Sequence, residues 1–235
     1  NNNYNGASKK QLSLFYKLSF LNKIKKRLNL NYPKIFNEPF FGFNKSALNI
    51  KSPVYLNGYF QSTVYFNGFE LMIKDLFLFS TDSLDLLNKD LLAKIKNTNT
   101  ISVHIRRGDY VEDKVTQEFH GSCSLEYYFK AIKLLIDPYK DYTLVFFSDD
   151  TDWVKVQFES LSYPKIFVDN NKAENSWKDM MLMSSCTHNI IANSSFSWWA
   201  AWLNENSEKR VVAPRKWFAS SDLDTKTLLP DEWIK

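Results

Sequence analysis

The 235-residue chain is long enough for one large domain or two modest ones, and its 44% hydrophobic content suits a protein that buries a core. Two cysteines, Cys123 and Cys186, do not make a disulfide framework, and no apolar run approaches the ~20 residues that cross a bilayer. The net charge of +4 is uneven: Lys9, Lys10, Lys17, Lys23, Lys25, Lys26, Arg27 and Lys34 crowd the start of the chain. We read that run first as a solvated face, with a membrane surface or nucleic acid as the other partners it could serve. Reduced cysteines point to a cytoplasmic protein, with peripheral contact to the inner membrane as an additional expectation.

In chain order, Leu12, Phe15, Leu18, Leu21 and Leu28 recur at helical spacing and predict one amphipathic helix over residues 8–30. The proline-bearing stretch from Tyr32 to Pro53 reads as loops and short strands, and residues 54–66 are rich in β-formers. Asp82 is the expected N-cap of a helix through Leu84, Leu87, Leu91 and Ile95. From Asn99 the pattern becomes regular. Strands are predicted at Thr100–Ile105, Thr143–Phe147, Lys165–Val168, Asn189–Ala192 and Arg210–Ala213. Helices are predicted at Ser124–Ile136, through Trp153–Gln157, from Ser176 with Asp179 near a capping box, and at Ser197–Leu203. That alternation is βαβαβαβαβ, the pattern of a parallel sheet covered by helices on both faces. The expected organisation is an N-terminal domain over 1–98, a nucleotide-binding domain over 99–217 and a tail over 218–235.

Polar residues gather where the strands end. The first strand runs into His104, Arg106, Arg107 and Asp109, and the second into Ser148, Asp149 and Asp150. The third ends at Asp169 and Asn170, the fourth at Asn193, Ser194, Ser195 and Phe196. Open parallel sheets bind ligands outside their carboxyl edge. Arg106 and Arg107 offer fork-shaped cations to phosphate oxygens. Asn193, Ser194 and Ser195 lead into a helix N-terminus, where free N–H groups favour anions. A carboxylate such as Asp149 can accept the two parallel donors of guanine, so a guanosine nucleotide fits better than an adenosine one.

Other readings stand beside these. His104 alone could be a satisfied strand histidine. Asp150-Thr-Asp152 could hold Mg²⁺ or Mn²⁺, or Asp150 could cap the helix containing Trp153; we favour the cap, because the arginine pair already balances phosphate charge. His120, Cys123 and Cys186 lack zinc spacing, and no metal or cofactor is expected. Trp198 and Trp202 share a helical face that reads mainly as core. A metal-dependent glycosyltransferase and a non-catalytic nucleotide-sugar-binding module remain the alternatives. Nucleic-acid binding ranks last, because the lysines lie outside the strand-end clusters.

His104-Ile-Arg-Arg-Gly-Asp-Tyr110 resembles the H-x-R-R-x-D motif of the bacterial α-1,2-fucosyltransferases. The resemblance continues in order through Gly58-Tyr-Phe-Gln-Ser62, Phe147-Ser-Asp-Asp150, Trp177-Lys-Asp-Met-Met-Leu-Met183, Ile191-Ala-Asn-Ser-Ser-Phe-Ser-Trp-Trp-Ala-Ala-Trp-Leu203 and Pro214-Arg-Lys-Trp217. It implies an α/β protein of GT-B architecture, with two Rossmann-like domains facing a cleft. It also implies metal-independent, inverting transfer of fucose from GDP-fucose to the 2-hydroxyl of a terminal galactose. On this resemblance Arg106 binds the diphosphate, His104 and Asp149 lie against guanine, and Ser194 and Ser195 match the phosphate-side loop. Asp109 belongs to the motif; it orients the arginines or serves as general base, as Glu112, Asp113 or Glu118 also could. The family's Gly-Gly-x-Gly-Asn-Gln loop is missing from this sequence, which predicts an incomplete N-terminal part.

Overall fold

The computed structural model describes residues 7–38, 42–108, 117–119, 121–219 and 225–235. The chain divides into two compact units, Asn1–Leu76 with Leu223–Pro230, and Phe77–Asp222 with Asp231–Lys235.

The first unit carries helices α1 (Lys9–Tyr16) and α2 (Phe20–Arg27), strands β1 (Lys34–Asn37) and β2 (Val54–Asn57), and helix α3 (Glu70–Leu76). The single helix expected over 8–30 is two. Ser8 caps α1 with a capping box, and Ser19 stops the run and caps α2 by accepting from the Asn22 N–H. The two strands pair in parallel. Among this unit's described residues they form a two-stranded sheet, short of the second Rossmann-like domain that the resemblance implies.

The second unit is built on β3 (Asn99–Ile105), β4 (Tyr142–Ser148), β5 (Lys165–Val168), β6 (His188–Ile190) and β7 (Val211–Val212). All pair in parallel in the order β5-β4-β3-β6-β7. The chain runs outward from β3 to β5, then returns across the sheet to β6 on the other side of β3. This is the doubly wound order, and its switch point lies between β3 and β6.

Side chains alternate across the sheet. Ile101, Val103, Ile105, Leu144 and Phe146 face a core with Tyr128, Ala131, Ile132 and Leu135 of α5 (Leu125–Leu135) and with Val154 of α6 (Thr151–Gln157). The α5 residues sit at the i, i+3, i+4, i+7 spacing of a buried helical stripe, and Ser124 caps the helix. Val145, Phe147 and Val168 face the opposite core, with α4 (Leu86–Asn97), α7 (Trp177–Ser184) and Ala200 of α8 (Ser195–Leu203).

The expected boundary between residues 98 and 99 therefore moves back to residues 76/77. Helix α4 presents Leu91, Leu92 and Ile95 to the same core as β4, so it belongs with the sheet. The expected tail over 218–235 is divided too. Ile234 bridges to Val212 and extends the edge of the sheet, while Leu223–Pro230 belongs to the first unit.

A polar network ties α4 to α7 and to the loop after β5. Asp85, not Asp82, caps α4 and pairs with Lys178 at 2.9 Å. Lys178 and the Asn88 groups hold the Asp85 carboxyl well below the usual carboxylate range. Asn88 and Asn171 exchange reciprocal amide bonds at 2.9 Å, and Asn171 also donates to Asp179 at 2.7 Å. Ser176 makes no capping bond to α7, so the expected capping box is absent and Asp179 serves Asn171 instead. Burial pushes the Asp179 carboxyl up to about 6, against the pull of that hydrogen bond.

Candidate nucleotide-sugar site

Register assembles the strand-end residues. His104 lies opposite Phe147 and Ile105 opposite Ser148, so the turns after β3 and β4 emerge side by side. Val103 lies opposite Ile190, which sets Asn193 and the start of α8 beside the β3 turn.

His104 is buried, with its ring 5.8 Å from that of Phe196 in the first turn of α8. Its Nδ1 is buried without a hydrogen-bond partner. Burial pulls the imidazole down to about 4, the nearby Asp149 opposing and Arg106 assisting, so the ring is neutral at pH 7.

The two arginines are held differently. Arg106 Nη1 pairs with Asp149 Oδ2 at 3.3 Å, and its side chain stays 36% exposed. Arg107 is anchored three ways: its N–H donates to Asp149 Oδ1 at 2.9 Å, its Nε pairs with Asp150 Oδ2 at 3.0 Å, and its guanidinium lies 4.2 Å from the centre of the Trp153 ring. The turn passes so close to Asp149 that a Cβ on Gly108 would come within 3.2 Å of Oδ2, tighter than ordinary contact.

Asp149 thus has a duty the sequence did not foretell: it organises the turn that carries both arginines. Asp150 caps α6 through the Trp153 N–H while it pairs with Arg107. Asp152 points away to Lys155. The cap expected of Asp150 is present. Ser148 closes its own turn, its Oγ accepting from the Asp150 N–H and its carbonyl from the Thr151 hydroxyl.

Asn193 departs from its expected role as a ligand donor. Its side chain is buried and its amide donates to the Gly121 and Trp217 carbonyls, tying the loop after β6 to those after β3 and β7. It borders a cleft of about 740 Å³ walled by Cys123, Tyr127, Lys130, Arg215 and Phe218. Ser194 occupies the N-cap position of α8 without a side-chain bond, and Ser195 begins the helix exposed. Trp198 and Trp202 are core, stacked at 6.4 Å. Both cysteines are free thiols, which burial pushes up to about 11 for Cys123 and about 12 for Cys186. Asp109, Glu112, Asp113 and His120 lie outside the described residues, and Glu118 is exposed. Among the described residues no helix is long and apolar enough to cross a membrane.

The model of glycosyl transferase family 11 matches residues 14–235. The chain belongs to that family. This family 11 glycosyl transferase is 41% identical over 195 residues to the O-antigen biosynthesis glycosyltransferase WbnK of Escherichia coli, a match covering 81% of this chain and 63% of the relative. It is 34% identical over 233 residues to an α-1,2-colitosyltransferase of Escherichia coli, covering 97% of this chain and 78% of the relative. A galactoside α-(1,2)-fucosyltransferase 1 of Lagothrix lagotricha is 26% identical over 104 residues, 44% of this chain and 28% of that one.

Proposed function

We propose that this family 11 glycosyl transferase moves L-fucose from GDP-β-L-fucose to the 2-hydroxyl of a terminal galactose, inverting the linkage to α. The observation that carries this reading is Arg106, set at the switch point of a doubly wound sheet, braced by Asp149 and 36% exposed. An inverting transfer builds charge on the departing β-phosphate. A preorganised cation aimed there contributes on the order of 3–4 kcal/mol to the transition state.

In this reading Arg106 takes the β-phosphate, and Ser194, Ser195 and the first N–H groups of α8 take the remaining phosphate oxygens. Arg107 holds the turn in place. Asp149, whose two oxygens carry more acceptor sites than the arginines use, receives the guanine donors, with neutral His104 and Phe196 behind the base. The proton of the acceptor hydroxyl goes to a carboxylate of the loop after Arg107, where Asp109, Glu112, Asp113 and Glu118 are available. The second unit is the donor half of a GT-B enzyme and the first contributes the acceptor side. The chemistry runs without a metal ion, the diphosphate charge falling to Arg106 and the N-terminus of α8.

The colitosyltransferase relative favours a second reading of the donor. Colitose is fucose without its 3-hydroxyl, and the same phosphate site would serve both sugars. The test is transfer to lactose from GDP-fucose and from GDP-colitose, each with chelator present, followed by mass and NMR of the product. An α-1,2-fucosyl product and a higher kcat/KM for GDP-fucose are expected. A higher value for GDP-colitose would establish the second reading. Loss of transfer on adding chelator would overturn metal independence, and GDP binding without transfer would leave only a binding module.

A further inference from the structure

Helix α2 is turned inside out. A surface helix normally points its apolar stripe at the core and its polar face at water. At about 100° per residue, Phe20, Ile24, Leu28 and Leu21 fall within an arc of roughly 100°. That arc faces solvent: Phe20 is 77% exposed, Leu21 69%, Leu28 64% and Ile24 37%. The one half-buried side chain on α2 is the polar Asn22, nearly opposite the stripe. Arg27 borders the stripe on one side and Lys25 on the other, with Lys23 and Lys26 further round.

Helix α1 is the fixed arm of the pair. Its Phe15 and Tyr16 rings pack 6.1 and 6.0 Å from Tyr55 of β2, and Leu12 and Phe15 are half-buried. The segment is also one-signed. All 37 residues before Glu38 include seven lysines and one arginine and not a single Asp or Glu.

We infer that α2 docks this protein on an anionic phospholipid surface, its apolar stripe entering the headgroup boundary and its cations pairing with lipid phosphates. An exposed apolar stripe bordered by cations on both sides is the geometry of a helix lying in a membrane plane. Two copies of this helix would bring four cations against four with no acidic residue between them, so charge opposes self-association through it.

The experiment is cosedimentation of the protein with phosphatidylcholine vesicles, with and without phosphatidylglycerol, in the absence of any nucleotide sugar. Its outcome is therefore independent of the donor reading. Binding to the anionic vesicles is expected to be at least about tenfold tighter than to the neutral ones and to weaken as salt rises. The double variants Ile24→Ser/Leu28→Ser and Lys25→Glu/Arg27→Glu change exposed side chains and should keep the parent circular dichroism spectrum while losing about tenfold or more of that binding. Equal binding to both vesicle types would overturn the inference, as would undiminished binding by both variants. So would a dimer, seen by sedimentation velocity, that Ile24→Ser dissociates.

Discussion

Replacing the two arginines one at a time separates the anchor from the ligand group. Arg107→Ala removes a partly exposed ion pair to Asp150, worth up to about 1 kcal/mol, and a stacking contact on Trp153 worth about 0.5–1 kcal/mol. The backbone bond from residue 107 to Asp149 survives the change. Together the losses come to roughly 1–2 kcal/mol of folding stability. Arg106→Ala removes, among its contacts, an ion pair to Asp149 whose ends are 36% and 25% exposed and which is itself worth about 1 kcal/mol or less. Its cost in catalysis is much larger: losing one cation aimed at the leaving phosphate removes about 3–4 kcal/mol, a fall of 10²–10³ in kcat. Urea unfolding and fucosyl transfer, measured on the same preparations, decide the matter. Arg106→Ala should stay folded and be nearly inactive, and Arg107→Ala should unfold below the parent midpoint. A folded Arg106→Ala protein with near-parent kcat/KM would refute the reasoning, and so would an Arg107→Ala protein as stable as the parent.

Acid titration should set two buried groups against each other. Below pH 6.5 the unfolded chain takes up a proton that folded His104 refuses until about pH 4, so stability falls across that window. Asp179 acts oppositely: its folded carboxyl holds a proton up to about pH 6 and the unfolded one only near 3.8, so stability rises as pH falls between those values. Each shift is worth roughly 3 kcal/mol. Relative to the parent, Asp179→Asn should lose stability more steeply from pH 6 to 4, and His104→Gln less steeply, in urea unfolding at a series of pH values. Asn171→Ala strands the Asn88 amide and the Asp179 carboxylate, and should cost about 2–5 kcal/mol by the same method. Gly108→Ala crowds Asp149, and a several-fold fall in kcat/KM with little change in urea midpoint is the expected result.

The sheet was legible because its strands are short apolar runs punctuated by polar turns, and Lys165–Val168 was placed to the residue. The convergence of His104, Arg106, Asp149 and α8 followed from parallel register alone. What was not legible depended on partners far away in sequence. Asp85 and Asp82 are equally good caps in isolation; Lys178, ninety-three residues on, marks the true one. Asp179 reads as a capping-box acid until Asn171 is seen to claim it. Asn193 looked like a ligand donor because nothing local shows the Trp217 carbonyl that occupies it. The break between α1 and α2 was readable in principle, since Ser19 is a capping residue, but the leucine period ran across it.

The reciprocal amide pair of Asn88 and Asn171 has a bearing on how this sequence can drift. Each amide supplies what the other lacks, and no other residue type presents a donor and an acceptor at that reach and size. A lone replacement at either position meets a mismatched partner, so lineages should either keep both asparagines or exchange both, and positions 88 and 171 should be inherited as one unit.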